Sequence, residues 1–582
     1  MPSSTSSALA LAGRLRELDD AALGALLRAR EIGGGRDSSI KDFFDLAERL
    51  LSRESVQAAL ARLDRPTLLS LFGSAAPSAI ALALADLDGA AYDTVAATLA
   101  AWPTIGLPSE SELAQPAPAA LEPVSTADAR FTDHAAAERA FGTTIAVLEI
   151  VAELWRSPAR ELVRGGLALP DAKRLAGSAG VSLDELPALL AVCAAAGLAT
   201  LDGTEWQPGE AAALWRGGST VERWTKLADA WFAGLPGDIR SLLGERAHSV
   251  WGEHLGDYVR WLYPASSDRM HERMSAQVRS AELLGIVASG APSTPGSAIL
   301  TGELDAATAA MGALFPAQVD KAYVQHDLSI VSPGPLEARL DTRLRELADV
   351  ESSGLATTYR VTGGSINRAI SAGDTADSLR EFLLGISLTG IPQPLEYLIE
   401  ETARRHGLVR VGTSERGSYV RSTDANLLAA IAVDAGLAPI GLRRVGDGLE
   451  SHFDPELVFW ALSDARYPVA AEDASGSIQS FDRRRPAPRP APAPDLTAAL
   501  VERLRLSSTD DTAADWLERQ LEAAVKGRTT VTVIVNLPSG PTEMVLEPTG
   551  IGGGRLRARD RVADIERTLP LSSILEVRPA DS

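Results

Sequence analysis

Three arginines alternate with Leu and Ala in "RLRARD", so Arg555, Arg557 and Arg559 are expected to project from one face of a strand. Each guanidinium can aim two donors at one phosphate, and a row of them is what a nucleic-acid or anionic-ligand face needs. A solvated strand edge, charged so that it does not pair with another sheet, carries the same residues. Arg416 and Arg421 form a second candidate in "LVRVGTSERGSYVRS", where two alternating runs around an Arg-Gly turn read as a hairpin. Arg404, Arg405, His406 and Arg410 precede it, and Arg443 and Arg444 follow. Positive charge ahead of Gly407 also suits a helix C-terminus, which alone accounts for Arg404 and Arg405.

Catalytic groupings are harder to find. In "VQHDLSIVSPGPL", His326 and Asp327 open a strand that ends at Gly334 between two prolines. Pro333 and Pro335 remove two N–H donors, so the loop reads as a strand-to-helix turn and not as a phosphate cradle, with His326 and Asp327 tying the strand end. His248, His254 and Asp257 in "HSVWGEHLGD" contain metal-ligating types, but a spacing of six does not put both imidazoles on one helical face. The stretch "DELP" (184–187) falls in a helical pattern and not at the end of an apolar strand, and no G-x-x-x-x-G-K-[ST] occurs. ATP phosphates and their magnesium therefore have no recognisable seat, and no strand-to-helix context supports a hydrolase elbow. No catalytic residue, metal site or cofactor is nominated, and a non-enzyme is expected.

The elements that carry these residues follow from composition and period. At 582 residues the chain exceeds one core, and roughly three to five domains are expected. A formal net charge of -21 repels polyanions from most of the surface, so any nucleic-acid site must be a local patch. Positive charge is nearly all Arg, a bias that suits phosphate contacts and equally follows from GC-rich coding. A single cysteine, Cys193, offers no disulfide or zinc pair, and no stretch approaches a membrane span of about 20 apolar residues. A soluble protein, cytoplasmic or nucleoid-associated, is the expectation.

Composition then divides the chain into a helical N-terminal domain (1–104), a Pro/Ala-rich linker (105–130), a winged-helix-like domain (131–218) and a helical domain (219–290). A connecting segment (291–323), an α/β domain (324–481), a Pro/Arg-rich linker (482–495) and a tail of helices and short strands (496–582) complete it. In the first domain Leu15, Leu18, Leu23, Leu26 and Leu27 form an apolar stripe that reads as core, and Ser39, Ser52 and Ser55 read as caps or breaks. In the winged-helix-like domain, a DNA reader would need Arg, Lys, Asn or Gln on the second helix, about 183–197. "LDELPALLAVCAAAG" carries only Asp184 and Glu185 as charges, which favours packing or protein contact over base readout. Lys173 and Arg174 on the preceding helix remain within reach of a phosphate.

"VQHDLSIVSPGPL", "ADVESSGLATTYRVTGGSINRAISAG" and "PQPLEYLIEETARRHGLVRVG", in that order and spacing, resemble the N-terminal domain of XPB-type DNA-repair helicases. They are closer still to the bacterial helicase-associated domain proteins that carry this domain without a motor. "LRELDDAALGALLRA" and "PARELVRGGL" resemble the same bacterial family. In the tail, "AVKGRTTVTVIV", "EPTGIGGGRLRARD" and "RTLPLSSILEV" resemble a WYL-type module, an Sm-like barrel of bacterial transcription regulators. Val533, Ile534 and Val535 occupy the strand where that pattern places a Tyr.

The fold class expected is therefore multidomain and mainly α, with a winged-helix-like segment, an α/β domain similar to the XPB N-terminal domain, and a small C-terminal β-barrel. The resemblance implies a non-enzymatic, DNA-associated accessory or adaptor protein linked to DNA repair or transcription. Its partners would be DNA, through the arginines of the tail or hairpin, and a protein such as a helicase or the transcription machinery, with no membrane. The alternative is a ligand-sensing transcription regulator that uses the WYL-like barrel.

Overall fold

Aspartates and serines set the rhythm of the N-terminal helices. Asp19, Asp42, Ser52 and Asp64 each accept a backbone N–H of the following first turn, which fixes the starts of Asp20–Ala29, Phe43–Leu50, Arg53–Leu60 and Arg65–Ser70. Ser55 is not a cap: it is buried and accepts from the Arg30 guanidinium at 2.8 Å. The computed structural model describes residues 4–33, 40–118, 121–266, 268–479, 481, 496–510, 513–537 and 540–579. Ser39 and the Pro/Arg-rich stretch 482–495 lie outside the described residues.

The chain forms two compact units, one made of 1–120, 253–275 and 491–582, the other of 121–252 and 276–490. In the first, Leu15, Leu23, Leu26 and Leu27 are buried with Phe43, Leu46, Leu60 and Trp102, and Leu18 packs against them. This core is completed from the far end of the chain. Leu500, Val501 and Leu504 of helix Leu496–Asp510 belong to it, while Leu9 of helix Ser4–Glu17 is buried among Leu521, Val531, Val533 and Leu556 of the tail. Arg505 donates to Asp20 at 2.8 Å across the same contact.

The tail strands form an antiparallel sheet in the order Ile565–Pro570, Arg555–Asp560, Gly540–Gly552, Val531–Leu537, Ile574–Pro579. No ladder joins the two outer strands among the described residues, and no closed barrel is seen there. The single stretch "ERTLPLSSILEVRP" becomes two strands because a short turn, Leu571–Ser573, reverses nothing but steps the chain from one edge of the sheet to the other.

The second unit is led by a long helix, Thr126–Arg156. After it come strand Ala159–Arg160, helices Leu169–Ala179 and Leu186–Ala195, and a hairpin of Ala199–Asp202 with Glu205–Pro208. The three strands pair with Glu205–Pro208 in the centre. Leu186, Leu189, Leu190, Val192 and Cys193 of the second helix are buried, and burial pushes the Cys193 thiol up to about 12, which keeps it unreactive.

Further along, a four-stranded antiparallel sheet has the order Tyr323–Val324, Ser329–Ser332, Thr357–Arg360, Asp349–Ser352. The run "VQHDLSIVS" is two strands and not one: Leu328 takes a positive φ of 70°, and Asp327 accepts from the Ser329 N–H at 3.0 Å, closing a turn. Asp327 thus ties the strand end as its position implied. The "SPGPL" turn leads first to a bridge between Leu336 and Val319, and the helix begins only at Ala338. A six-stranded sheet follows, in the order Arg443–Val445, Gly448–Ser451, Gly417–Ser422, Val409–Ser414, Val469–Glu472, Ile478–Gln479. Its Val409–Ser414 and Val469–Glu472 strands run parallel and the other neighbours antiparallel.

Candidate nucleic-acid interface

The hairpin that carries Arg416 and Arg421 is fixed by its buried face. Val409, Val411 and Val420 point with Leu449 and Val469 into a core closed by Leu428, Ile431, Val458 and Phe459. Alternation then sends Arg410, Tyr419 and Arg421 to the opposite face. Gly417 holds the turn at a φ of 133°, where a Cβ would meet the Ser451 carbonyl oxygen at 2.4 Å. Arg416 sits at this turn, exposed and without an ion pair among the described residues.

Arg421 is placed differently. Its Nη2 donates to Glu472 Oε2 at 2.7 Å, and the Tyr419 hydroxyl donates to Glu472 Oε1 at 2.6 Å. The Glu472 side chain is 1% exposed and that of Arg421 58%. Burial opposes the Glu472 charge, but the hydrogen bonds from Arg421 and Tyr419 and the Arg421 and Arg410 charges outweigh it and hold the carboxyl below its ordinary range. Nearby, His406 Nδ1 meets Asn367 Oδ1 at 2.8 Å, and burial together with Arg410 pulls the imidazole down to about 4. Arg404 pairs with Glu401. Arg405 lines a cavity of about 220 Å³ with Gly363, Gly364, Asn367 and Arg466.

In the tail, Arg555, Arg557 and Arg559 alternate with the buried Leu556, Ala558 and Asp560, so all three share the exposed face. Arg559 is engaged: its Nη2 and Nε donate to Asp564 Oδ1 at 2.6 and 2.9 Å. Arg555 and Arg557 make no ion pair among the described residues. Register sets Gly552 and Gly550 beside them on one strand and Pro570 and Thr568 on the other, so no carboxylate stands directly opposite either guanidinium. Asp560 faces inward, kept low by the Ala563 N–H and by Arg567, whose Nε lies 2.7 Å away.

Other charged residues serve the fold. Arg345, Glu149, Asp341, Arg223 and Tyr359 form a buried network that sequence reading did not find. Arg345 Nη2 lies 2.8 Å from Glu149 Oε1 on the long helix, and its Nε 2.9 Å from Asp341 Oδ1. Tyr359 donates to the same Asp341 oxygen at 2.6 Å. Burial opposes the Arg345 charge, but Asp341 and Glu149 outweigh it, whereas burial pulls Arg223 down to about 10. Only the i, i+4 spacing of Asp341 and Arg345 was visible as a signal. Arg174, noted above as within reach of a phosphate, bonds Glu153 at 2.7 Å and Asp171 at 2.9 Å. His254 opens a helix and Asp257 pairs with Arg260 at 2.8 Å; no group of His, Cys, Asp and Glu is placed to hold a metal among the described residues.

Residues 322–446 match the family described as the helicase conserved C-terminal domain. This stretch is similar to a helicase-associated domain. It takes in the four-stranded sheet and, from the six-stranded one, Val409–Ser414, Gly417–Ser422 and Arg443–Val445. Arg416 and Arg421 lie inside it; Glu472, which anchors Arg421, and the tail arginines lie outside. No curated protein matches the chain. No helix among the described residues is long and apolar enough to cross a membrane.

Proposed function

We propose that this chain is a non-enzymatic, DNA-associated accessory protein that works beside a helicase or the transcription machinery in the cytoplasm. The observation that carries this reading is the match of residues 322–446 to the helicase conserved C-terminal domain, in a chain whose sequence has no phosphate loop of the G-x-x-x-x-G-K-[ST] kind. The domain is read as similar to the N-terminal domain of XPB-type helicases. Arg555 and Arg557 are proposed as the phosphate contacts, with Arg416 a weaker one at the hairpin turn. Their lack of ion-pair partners among the described residues supports this, since a paired carboxylate, such as Asp564 at Arg559, offsets the local field that a phosphate would meet.

The strand order around Glu205–Pro208 supports a winged-helix reading of that block, and the buried apolar helix Leu186–Ala195 supports its use in packing or protein contact. The order of the five tail strands supports a WYL-like module. The test is binding of the purified protein to fluorescent single-stranded, duplex and forked DNA over a salt series, with ATP hydrolysis assayed alongside. Binding that weakens steeply with salt, without hydrolysis, is expected. No binding at low salt would make any DNA association indirect, and DNA-stimulated hydrolysis would overturn the non-enzymatic part.

A further inference from the structure

The outer face of the six-stranded sheet carries an aromatic ring held in place by a buried carboxylate. Tyr419 on strand Gly417–Ser422 stands directly across from Gly412, and a Cβ on Gly412 would lie 2.4 Å from the Tyr419 hydroxyl oxygen. The ring can therefore lie over the neighbouring strand only because that position is glycine. Its hydroxyl is tethered to the buried Glu472 at 2.6 Å, and the same carboxylate holds Arg421, whose guanidinium carbon is 5.7 Å from the ring centroid. One carboxylate thus sets the orientation of both a ring and a cation.

Register extends this face to the sheet edge. Tyr419 pairs with Glu450, which pairs with Arg443, and one step along Val445 pairs with Gly448. Arg443 and Val445 are exposed, and Arg443 has no ion pair among the described residues. The surface is therefore aromatic at Tyr419, apolar at Val445 and positive at the exposed Arg443, with the half-buried Glu450 between ring and arginine and with Arg421 paired to Glu472. Arg416 stands at the turn of the same hairpin, next to the exposed Glu415. On a chain of net charge -21, such a face is not a generic attraction for anions but a local one.

We infer that this face, centred on Tyr419 with Arg443 as its phosphate contact and Arg421 holding the ring's carboxylate anchor, is a platform for single-stranded DNA. A duplex hides its base faces in the stack, whereas a single strand can lay a base on an aromatic ring while its phosphates meet flanking arginines. The pre-set ring and the exposed guanidinium of Arg443 have the complementary chemistry. This inference rests on the DNA-associated reading above and deepens it by naming a second surface and the form of DNA that it takes.

The test uses the full-length protein, a fluorescein-labelled oligothymidylate and a blunt duplex. The variants are Tyr419→Leu, Arg443→Glu and, for the tail, the pair Arg555→Glu and Arg557→Glu. Loss of one stacked base should weaken oligothymidylate binding about 5- to 100-fold in Tyr419→Leu while duplex binding is retained. Arg443→Glu, at an exposed edge position that the core does not use, should weaken the same binding and reduce its salt slope by about one. If Tyr419→Leu does not fold, Arg443→Glu decides. Unchanged oligothymidylate affinity in the folded variants, with wild-type protein binding DNA, would overturn the platform and leave the DNA-associated reading standing. Absence of any DNA binding by the wild-type protein would overturn both.

Discussion

Arg421 and Arg559 carry the same charge as Arg416, Arg555 and Arg557, but their neighbours give them different work. Glu472 is buried and depends on Arg421 and Tyr419, so Arg421→Ala should cost about 1–2 kcal/mol of stability, the exposure of the Arg421 side chain limiting the loss. Urea unfolding of the purified variant checks this. Arg559→Ala, which frees an exposed Asp564, should leave both stability and DNA affinity within a factor of about two of wild type. His406 offers a pH-dependent test. Its folded pKa is pulled down from 6.5 to about 4, so the unfolded chain takes up a proton in that window that the folded chain refuses. The stability of the neutral imidazole is fully present above pH 6.5 and is lost as pH falls toward 4. The thermal midpoint of wild type should therefore fall more steeply over this window than that of His406→Gln. Equal slopes would contradict the burial of that ring. The positions of the arginines were legible in the sequence because strand period fixes their face. Which of them were engaged was not, because Glu472 lies 51 residues from Arg421 and no local pattern links them.

At the scale of elements, the hairpin of Val409–Ser414 and Gly417–Ser422 was readable from its alternating valines and its Arg-Gly turn. The split of "VQHDLSIVS" into two strands was not, since it depends on one left-handed residue, Leu328, and one aspartate bond. The contact between the long helix and helix Ala338–Leu347 was also hidden, because Glu149 and Arg345 are 196 residues apart. Breaking that contact is costly because both partners are buried. Arg345→Ala should leave Glu149 without its ion pair and Asp341 with only the more distant Arg223, and cost about 3–5 kcal/mol, whereas Arg260→Ala, at an exposed pair, should cost under about 1 kcal/mol. Paired urea titrations compare the two directly; equal costs would show that the Arg345 network is solvated.

At the scale of the whole molecule, the first unit draws its core from both ends of the chain. Apolar stripes in the sequence mark which helix faces are buried but not what covers them, and so the packing of Leu504 with the N-terminal helices and of Leu9 with the tail strands could not be read in advance. Leu9→Ala should therefore destabilise the tail sheet by about 2–5 kcal/mol although it lies in the first helix, seen as faster amide exchange over residues 531–579. The net charge of -21 makes local placement of arginines decisive for any DNA contact. The most direct measurement is the salt dependence of forked-DNA affinity for wild type beside the variant with Arg555→Glu and Arg557→Glu. The expected result is binding that falls steeply with salt in wild type, with the slope of log affinity against log salt reduced by about two in the variant. Equal slopes and affinities in the two proteins would contradict the tail as the phosphate-contacting face.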